Sequence, residues 1–327
     1  MAPKYSEIIE KLGRNRVKLD EPMNQHTTFK IGGPADLFYE AKTIDDLIKA
    51  VKLAWELKIP YFILGGGSNL LVSDSGFRGL VIAIRDTQYV IRNTKVIAKA
   101  GISLRKLVEV ASENSLSGFE FMAGIPGTLG GAVRGNAGAW QQNIGDKISR
   151  VRVLGEDGRI KWLSQKNCQF QYRQSRFKKI KEVILEVELQ LARGDKTEIE
   201  RKIKENLQKR EGQPPEPSAG CIFVNPAQRL PFPRLTASCH GGAYAGQVPT
   251  RLSAGKMIEE CGLKEERVGN AQISPKHANF IVNLGQAKAE DVLQLIKLAK
   301  SAVQKKFNVK LELEISLLGF GRIRNDG

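Results

Sequence analysis

Two glycine-rich stretches carry the residues of this chain best suited to binding a ligand through the backbone. The first, Gly65-Gly66-Gly67-Ser68-Asn69, directly follows a short apolar run. The second, over 124–138, mixes glycine with Pro126 and apolar residues. Glycine lets the backbone adopt positive φ and approach a ligand closely, and successive N–H groups in such loops form concave anion sites. Together the two loops could hold a pyrophosphate; the alternative is that they are tight turns.

The elements that must position these loops are predicted from the spacing of apolar residues and from turn residues. Helices are expected at 5–15, after an N-cap at Thr43, and at 104–113, 197–210, 253–261 and 289–306. Strands are expected at 61–64, 80–84, 89–91, 96–98, 151–154, 160–163, 183–191 and 309–318. Residues 118–138 are dominated by glycine, and no regular element is assigned there. The strand 183–191 alternates apolar and charged residues, which predicts a half-buried strand.

The composition restricts the class of protein. A length of 327 residues suggests about two domains. Lys and Arg number 51 against 35 Asp and Glu, a formal charge of +16, which indicates anionic partners. No run of 18 apolar residues and no apolar signal segment occur, and four cysteines without C-x-x-C indicate reduced thiols in a cytoplasmic protein. Three distant histidines argue against a metal site, so none is predicted.

The best domain boundary lies where the composition changes, near 194–216. A charged helix over 197–210 runs into the proline-rich stretch 212–217 there. A solvated helix followed by such a stretch is typical of a link between domains. The motifs G-x-G-x-x-G and G-x-x-x-x-G-K-[ST] are absent, so neither standard nucleotide-binding fold is indicated.

Seven blocks occur in a fixed order along the chain. They are LGGGSNLLV, GIPGTLGGAVRGNAGAW, YRQSRF, PSAGCIFVNP, SAGKMIEECGL, KHANFIVNLG and LELEISLLG. In this order they resemble the UDP-N-acetylenolpyruvoylglucosamine reductase (MurB) family of bacterial cell-wall synthesis. The resemblance covers roughly residues 20–320 of this chain.

The resemblance implies an α+β fold with three parts. An FAD-binding region of the vanillyl-alcohol-oxidase/PCMH type would span 31–193, with two α+β subdomains at about 31–85 and 86–193. A C-terminal α+β substrate-binding domain would span 205–320, and 1–30 would be an N-terminal segment. FAD is the implied cofactor, NADPH the co-substrate and a UDP-sugar the substrate. Neither nucleic acid, a membrane nor an obligate protein partner is expected.

The implied activity is that of UDP-N-acetylmuramate dehydrogenase. NADPH would reduce the flavin, which would give a hydride to the methylene carbon of UDP-N-acetyl-3-O-(1-carboxyvinyl)glucosamine. Protonation of the adjacent carbon would then yield UDP-N-acetylmuramate, a peptidoglycan precursor. The excess positive charge suits three polyanionic ligands, because a basic cleft raises their encounter rate.

Arg173 matches the family's catalytic arginine in the YRQSRF block. Negative charge grows on the substrate carboxylate as the hydride arrives, and a fixed cation aimed there lowers the barrier. The planar guanidinium suits a carboxylate and stays charged. From composition alone, the alternative is a solvated arginine in the basic run 173–181.

Cys221 occupies the position where many family members have serine as the proton donor. A thiol is a far stronger acid than a serine hydroxyl and is mostly protonated at pH 7, so it could donate a proton; it could also be oxidised, which serine resists. The alternative is a small buried hydrophobe.

Glu314 matches the family's glutamate near the C-terminus. Alternation places Leu311, Leu313, Ile315 and Leu317 on one strand face, and Glu312, Glu314 and Ser316 on the other. The pattern does not separate Glu312 from Glu314, and only the spacing to Leu318-Gly319 in the block selects Glu314. It would pair with the arginine, orient the carboxylate region or act as an acid.

The remaining site residues come from the resemblance. The flavin candidates are Gly65, Gly66, Gly67, Ser68, Asn69, Gly124, Ile125, Pro126, Gly127, Gly130 and Gly131. The substrate candidates are Tyr172 and Asn225 near the sugar nucleotide and Lys209 near the diphosphate. The insert 227–252 is either a lid over the UDP-sugar or a mobile basic loop.

Two other functions stay open at this point. One is another flavin oxidoreductase of the same fold, such as an oxidase of hydroxy acids or sugars, against which the Arg173, Cys221 and Glu314 blocks argue. The other is a basic nucleic-acid-binding protein, although no RRM, KH, zinc-finger or basic-zipper signature occurs.

Overall fold

The computed structural model describes residues 3–226 and 252–321, so most of the insert predicted over 227–252 lies outside the described residues. The helices are α1 (Pro3–Leu12), α2 (Ile44–Glu56), α3 (Leu104–Glu113), α4 (Leu129–Gly135), α5 (Lys196–Gln208), α6 (Ala254–Glu260) and α7 (Ala289–Phe307). The strands are β1 (Val17–Pro22), β2 (Pro34–Ala41), β3 (Tyr61–Leu64), β4 (Leu70–Val72), β5 (Phe77–Ile84), β6 (Tyr89–Arg92), β7 (Lys95–Lys99), β8 (Leu116–Ser117), β9 (Gly138–Ala139), β10 (Gln142–Asn143), β11 (Ile148–Leu154), β12 (Ile160–Ser164), β13 (Val183–Gln190), β14 (Ala192–Arg193), β15 (Ser218–Cys221), β16 (Arg267–Val268), β17 (Ala271–Ile273), β18 (Phe280–Asn283) and β19 (Ser316–Leu318). None of the helices among these residues is long and apolar enough to cross a membrane.

The first sheet has the strand order β1-β2-β5-β3 and places the first glycine loop at the end of β3. Strands β2, β5 and β3 are parallel, and β1 pairs antiparallel with β2. Helix α2 begins as predicted at Thr43, whose hydroxyl accepts the Asp46 N–H at 3.1 Å. Helix α1 contributes Ile8 and Leu12 to the core of this sheet. The parallel strands therefore place the loop at the edge of the sheet, directly after the buried Leu64.

The second sheet is antiparallel, with the order β12-β11-β13-β7-β6. The strands predicted at 89–91 and 96–98, and at 151–154 and 160–163, pair as two hairpins, with Asn93 at φ 55° and Gly158 at φ 75° in the turns. The half-buried character predicted for 183–191 is wrong, because β13 is the central strand and all but its last residue are buried. Its Glu188 accepts hydrogen bonds from Arg150 and Lys95, so ion pairs cover the charged face in place of water.

The third sheet, of order β15-β18-β17-β16, carries the C-terminal region with α6 and α7 packed against it. Buried Leu295, Ile296 and Val303 of α7 join Ile273 and Ile281 of the strands in one core. This core is separate from the one beneath the first two sheets, and its edge strand β15 ends at Cys221. The sheet thus holds the candidate thiol at its rim.

The predicted strand over 309–318 is wrong for most of its length, because only β19 at its end is a regular strand. Residues 309–315 instead run beside 222–224. The Val224 N–H donates to the Glu312 carbonyl at 2.9 Å, and the Glu314 N–H donates to the Ile222 carbonyl at 2.8 Å. The chain then leaves this sheet and β19 pairs in parallel with β4. The stretch 309–318 therefore pairs first with 222–224 and then with β4. Each pairing is too short to make the whole stretch a regular strand.

The elements that were not predicted include β1 and β2, at the edge of the first sheet, and α4, which lies inside the glycine-dominated stretch. In α4 the apolar residues Leu129, Ala132 and Val133 are buried, and Thr128 caps the helix by accepting the Gly131 N–H at 3.5 Å. Packing outweighs the poor helix propensity of glycine here.

The C-terminal region is tied to the first sheet at several points. Asp74, after β4, accepts the N–H groups of Ala289 and Glu290 at 2.9 and 3.3 Å and so caps α7. The Thr28 hydroxyl donates to the Ser218 carbonyl at 2.7 Å. Together with the β4–β19 pairing, these contacts fix the position of the third sheet against the loops that follow β3 and β4.

Candidate active site

The two predicted glycine loops meet. A Cβ at Gly66 would lie 2.8 Å from the Gly127 Cα, and a Cβ at Gly127 would lie 2.8 Å from the Ser68 Oγ. The Ser68 hydroxyl donates to the Pro126 carbonyl at 3.1 Å. The loops therefore need glycine where their backbones touch. Together they form one continuous stretch of backbone around Gly66, Ser68, Pro126 and Gly127, which we call the lip of the site.

Not every predicted flavin residue lies on this lip. A Cβ at Gly130 would lie 2.9 Å from the Ala100 Cβ, so Gly130 serves the packing of α4 against the end of β7. Ile125 packs against the core. Gly67 has φ 63° and would clash with the His26 carbonyl, so it serves the turn itself. Gly66, Gly124, Pro126 and Gly131 are exposed.

Arg173 and Glu314 form an ion pair, with 2.9 Å between Arg173 Nε and Glu314 Oε1. The side chains are only 22% and 19% exposed, so Arg173 is not a solvated surface residue. The Nε–H is buried and is not directed at the carboxylate, which leaves it without a hydrogen-bond acceptor in the described residues. Arg173 also has φ 55°, in the left-handed region that residues other than glycine seldom adopt.

Glu314 and its neighbour Glu312 differ clearly in their surroundings. Glu312 is exposed, whereas Glu314 is half-buried against Arg173. Burial raises the pKa of Glu314, and the Arg173 and Lys178 cations oppose this rise. The Asn69 side chain donates to the Glu314 carbonyl at 3.0 Å, so a residue of the first glycine loop holds the backbone of the acid.

Cys221 is half-buried at the end of β15 and lies in the same electrostatic cluster. Burial and the Glu314 carboxylate raise the pKa of its thiol and the Arg173 and Arg210 cations lower it, and together they bring the pKa to about 12. The thiol therefore stays protonated through the neutral range. The described cysteines Cys168 and Cys261 also have thiols with raised pKa values, but no charged group of the site influences either.

The three predicted substrate residues fall into two groups. The Asn225 amide donates to the Tyr172 hydroxyl at 3.3 Å and accepts the Ala254 N–H at 2.9 Å. The Tyr172 ring lies 5.4 Å from the Arg173 guanidinium, which joins this pair to the cluster. Lys209 instead lies over the exposed ring of Trp140, at 5.4 Å.

Arg210 is the site residue that sequence reasoning missed. Its Nε donates to the Ala123 carbonyl at 2.9 Å, and its side chain covers Gly124, where a Cβ would lie 2.6 Å from the Arg210 Cδ. Its Nη2 is buried with no hydrogen-bond partner among the described residues. The available signal was its position as the last residue of the predicted charged helix, directly before the glycine–proline link.

The cluster joins a proton-bearing thiol, an arginine with an unused donor and a half-buried carboxyl beside a backbone lip. Within 3–226 and 252–321, no group of three or more His, Cys, Asp or Glu residues is arranged to hold a metal ion. The arrangement can bind an anionic group and transfer a proton, and a bound redox cofactor would have to carry electrons.

Comparison with known proteins identifies that cofactor. Residues 35–164 match the family model of an FAD binding domain. Residues 213–318 match the model of the UDP-N-acetylenolpyruvoylglucosamine reductase C-terminal domain. The fold and site are therefore those of an FAD-dependent oxidoreductase, and the predicted α+β class with FAD as cofactor is confirmed.

Full-length relatives define the family. The chain is 40% identical to UDP-N-acetylenolpyruvoylglucosamine reductase of Alkaliphilus oremlandii, over 96% of this chain and 97% of the relative. It is also 40% identical to the reductase of Caldanaerobacter subterraneus, over 98% of each. The crystal structure of MurB from Thermus caldophilus matches with a TM-score of 0.74 and 36% identity, over 92% of this chain and 98% of that chain. The chain belongs to the UDP-N-acetylenolpyruvoylglucosamine reductase family, as the sequence blocks predicted.

The residues at the lip fit FAD. FAD carries a pyrophosphate, which suits the backbone N–H groups of glycines with positive φ such as the exposed Gly124 and the partly buried Gly127. The unpartnered Nη2 of Arg210 supplies a buried cationic donor beside the same loop. A buried donor without a partner costs free energy, about 1–3 kcal/mol or more when charged, which a bound acceptor would relieve.

Proposed function

We propose that this chain catalyses the FAD-mediated, NADPH-dependent reduction of UDP-N-acetyl-3-O-(1-carboxyvinyl)glucosamine to UDP-N-acetylmuramate, a step of peptidoglycan precursor synthesis. The single observation that carries the proposal is the contact of Arg173 with Glu314 in the cluster that also holds Cys221. This reaction needs a cation for a carboxylate and a proton donor for the carbon next to it. Bound FAD would supply the redox chemistry, taking up a hydride from NADPH and giving it to the enolpyruvyl methylene carbon.

Arg173 binds the carboxylate of the enolpyruvyl group. The guanidinium carries five N–H donors, more than the ion pair with Glu314 can use, so it can also bind an incoming anion. As charge grows on the carboxylate, this cation stabilises it in a site screened from water, where each electrostatic contact is stronger. Glu314 holds the guanidinium in place through the 2.9 Å ion pair.

Cys221 donates the proton to the carbon beside the methylene. The pKa of its thiol, raised to about 12 by burial, keeps the proton on sulfur until a strongly basic centre arises beside it. A carbanion-like carbon is such a centre. The Arg173 and Arg210 cations, which lower the thiol pKa, would stabilise the thiolate that remains.

The other residues would bind the three ligands. The exposed glycines of the lip and Arg210 would hold FAD, and Tyr172 and Asn225 would contact the sugar nucleotide. Lys209, held over Trp140, would neutralise the diphosphate. We also propose that 31–193 acts as the FAD-binding unit and 205–320 as the substrate-binding unit. The cytoplasmic location, NADPH as the reductant and the absence of an obligate protein partner stay predictions.

Anaerobic spectroscopy of the purified, FAD-loaded protein tests the proposal. We expect NADPH to bleach the flavin absorbance, and the enolpyruvyl UDP-sugar to restore it with formation of UDP-N-acetylmuramate. NADH serves as the comparison reductant. Bleaching without recovery would assign the chain to another flavin oxidoreductase. Bleaching by a hydroxy acid, followed by recovery with oxygen, would identify an oxidase.

A further inference from the structure

Asn279 lies directly before β18 and is 3% exposed. Its carboxamide takes both backbone groups of Phe223: the Phe223 N–H donates to Oδ1 at 3.0 Å, and Nδ2 donates to the Phe223 carbonyl at 2.9 Å. Its own carbonyl accepts the Ile222 N–H at 2.8 Å. One residue therefore fixes three backbone groups immediately after Cys221.

These hydrogen bonds matter because β15, the strand that ends at Cys221, is irregular. Ser218 pairs with Val282 and Cys221 pairs with Phe280, so β15 has one more residue than β18 between these two pairs. Gly220 adopts φ 77° in this bulge. An extra residue leaves the ladder locally disrupted, so it does not set the direction of the thiol by itself. The hydrogen bonds of Asn279 to Phe223 constrain the backbone on the C-terminal side of Cys221.

Four groups from separate segments face the thiol. Glu314 comes from the stretch after α7, Arg173 from the connection between β12 and β13, and Arg210 from the end of α5. Asn279 is the uncharged member, and its side chain acts to lower the pKa of the Cys221 thiol, against the burial that raises it. A carboxamide carries two N–H groups, so one can serve the Phe223 carbonyl and the other the sulfur.

We propose that Asn279 is the positioning residue for Cys221: its carboxamide sets the direction of the thiol, and its N–H group stabilises the thiolate. In the proposed reaction the S–H bond breaks as the proton forms a C–H bond with the electron pair on the substrate carbon. The sulfur keeps the S–H electron pair, and solvent later returns a proton to it. The part that Asn279 plays in turnover rests on the proposed function, whereas its effect on the thiol itself does not.

The test compares Asn279→Ala and Asn279→Asp with Asn283→Ala. Asn283 is a matched control: it ends β18, is 5% exposed, and its Oδ1 accepts the Gly285 and Ala287 N–H groups at 2.9 and 3.0 Å. Asn279→Asp keeps an acceptor for the Phe223 N–H and loses the donor. Retention of FAD verifies that each variant is folded.

The first readout is the rate at which iodoacetamide alkylates Cys221 at about pH 8.5, the ordinary pKa of a thiol, followed on the Cys221 peptide by mass spectrometry. Loss of the donor should slow alkylation roughly tenfold, the factor that corresponds to a hydrogen bond to a charged group. A purely structural role would loosen the site, expose the thiol and speed alkylation. An unchanged or faster rate in both Asn279 variants overturns the proposal.

The second readout separates the half-reactions. NADPH should reduce the flavin of both Asn279 variants at nearly the unmodified rate, while reoxidation by the UDP-sugar should slow roughly tenfold or more. An equal slowing in Asn283→Ala would assign the effect to general damage and overturn the inference. If the unmodified protein does not turn over the UDP-sugar while alkylation still slows in the variants, the proposed function fails and the positioning of the thiol stands.

Discussion

The proton transfer proposed for this site depends on one side chain, the thiol of Cys221. Cys221→Ser retains a proton on the side chain, so we expect turnover within roughly tenfold of the unmodified protein. Cys221→Ala should permit flavin reduction by NADPH and lower turnover by about 10²–10³, the contribution of a general acid. Stopped-flow measurement of the two half-reactions checks both variants. Fast turnover of the alanine variant would remove Cys221 from the donor role.

The raised thiol pKa also predicts a pH profile. An ordinary thiol ionises near pH 8.5, and its ability to donate a proton would fall above that value. Because burial raises the pKa of Cys221 to about 12, reoxidation by the substrate should show no loss assignable to this thiol up to about pH 10. In Cys221→Ser any alkaline loss that persists belongs to another group. A decline near pH 8.5 that the serine variant lacks would contradict the assigned environment.

Glu314 predicts a stability change of definite sign. Its folded-state pKa is raised by burial, so the folded state binds this proton more tightly than the unfolded state. The associated stability is present in acid and is lost as the pH rises through the raised pKa. We expect Glu314→Gln to raise Tm at neutral pH and to leave it unchanged below about pH 4, where the unfolded carboxyl is also protonated.

The control for that prediction is Glu312→Gln, two positions away on an exposed side chain. It should alter neither Tm nor turnover, whereas Glu314→Gln should reduce turnover because Arg173 loses its ionic partner. Thermal unfolding followed across the acid-to-neutral range checks both variants. A fall in Tm for Glu314→Gln at neutral pH would mean that the ion pair outweighs the cost of burying the carboxylate.

At the scale of the element, the contact between the glycine loops is the feature most sensitive to substitution. Gly66→Ala would place a Cβ 2.8 Å from the Gly127 backbone, and relieving such overpacking costs about 1–3 kcal/mol. We expect FAD affinity to fall roughly tenfold or more, measured by flavin fluorescence. Gly135→Ala is the matched control, since its Cβ would meet nothing within 4 Å. It should retain FAD affinity and stabilise α4 slightly; equal effects of the two variants would contradict the role of the loop contact.

Several elements and loops were predictable from the sequence. Thr43 marked the start of α2, and glycine marked both loops, because these residues act through local backbone conformation. Helix α4 and the burial of Glu188 in β13 were not predictable, because distant partners decide them: packing of Leu129 in one case and Arg150 in the other. The same reason explains the failed strand over 309–318, whose two partners lie elsewhere in the chain.

The candidate site divides in the same way. The resemblance placed Arg173, Cys221 and Glu314 in one site, and the structure brings them together. Arg210 was missed because a charged residue at a helix end is usually solvated. Only the three-dimensional contact with Gly124 and its unpartnered Nη2 distinguish it from its neighbour Lys209.

At the scale of the whole molecule, Asp74 links the loop after β4 to the C-terminal region, because it caps α7. We expect Asp74→Ala to cost about 1 kcal/mol, as loss of a helix cap does, and to speed amide hydrogen exchange in β19. Asp195→Ala is the control, because Asp195 caps α5 by accepting the Glu198 N–H at 2.9 Å. It should cost about as much and leave β19 exchange unchanged. Equal β19 exchange in the two variants would contradict a coupling role for Asp74.

The pairing of β19 with β4 has a consequence for how the molecule is made. Asn69 and Glu314, which this pairing brings together, are separated by 245 positions along the chain. During synthesis the glycine loops leave the ribosome well before the acid that Asn69 holds. Contacts of such long range form late, since the entropy of closing the loop must be overcome first. A nascent chain can therefore assemble much of its flavin cradle well before it holds a complete catalytic cluster.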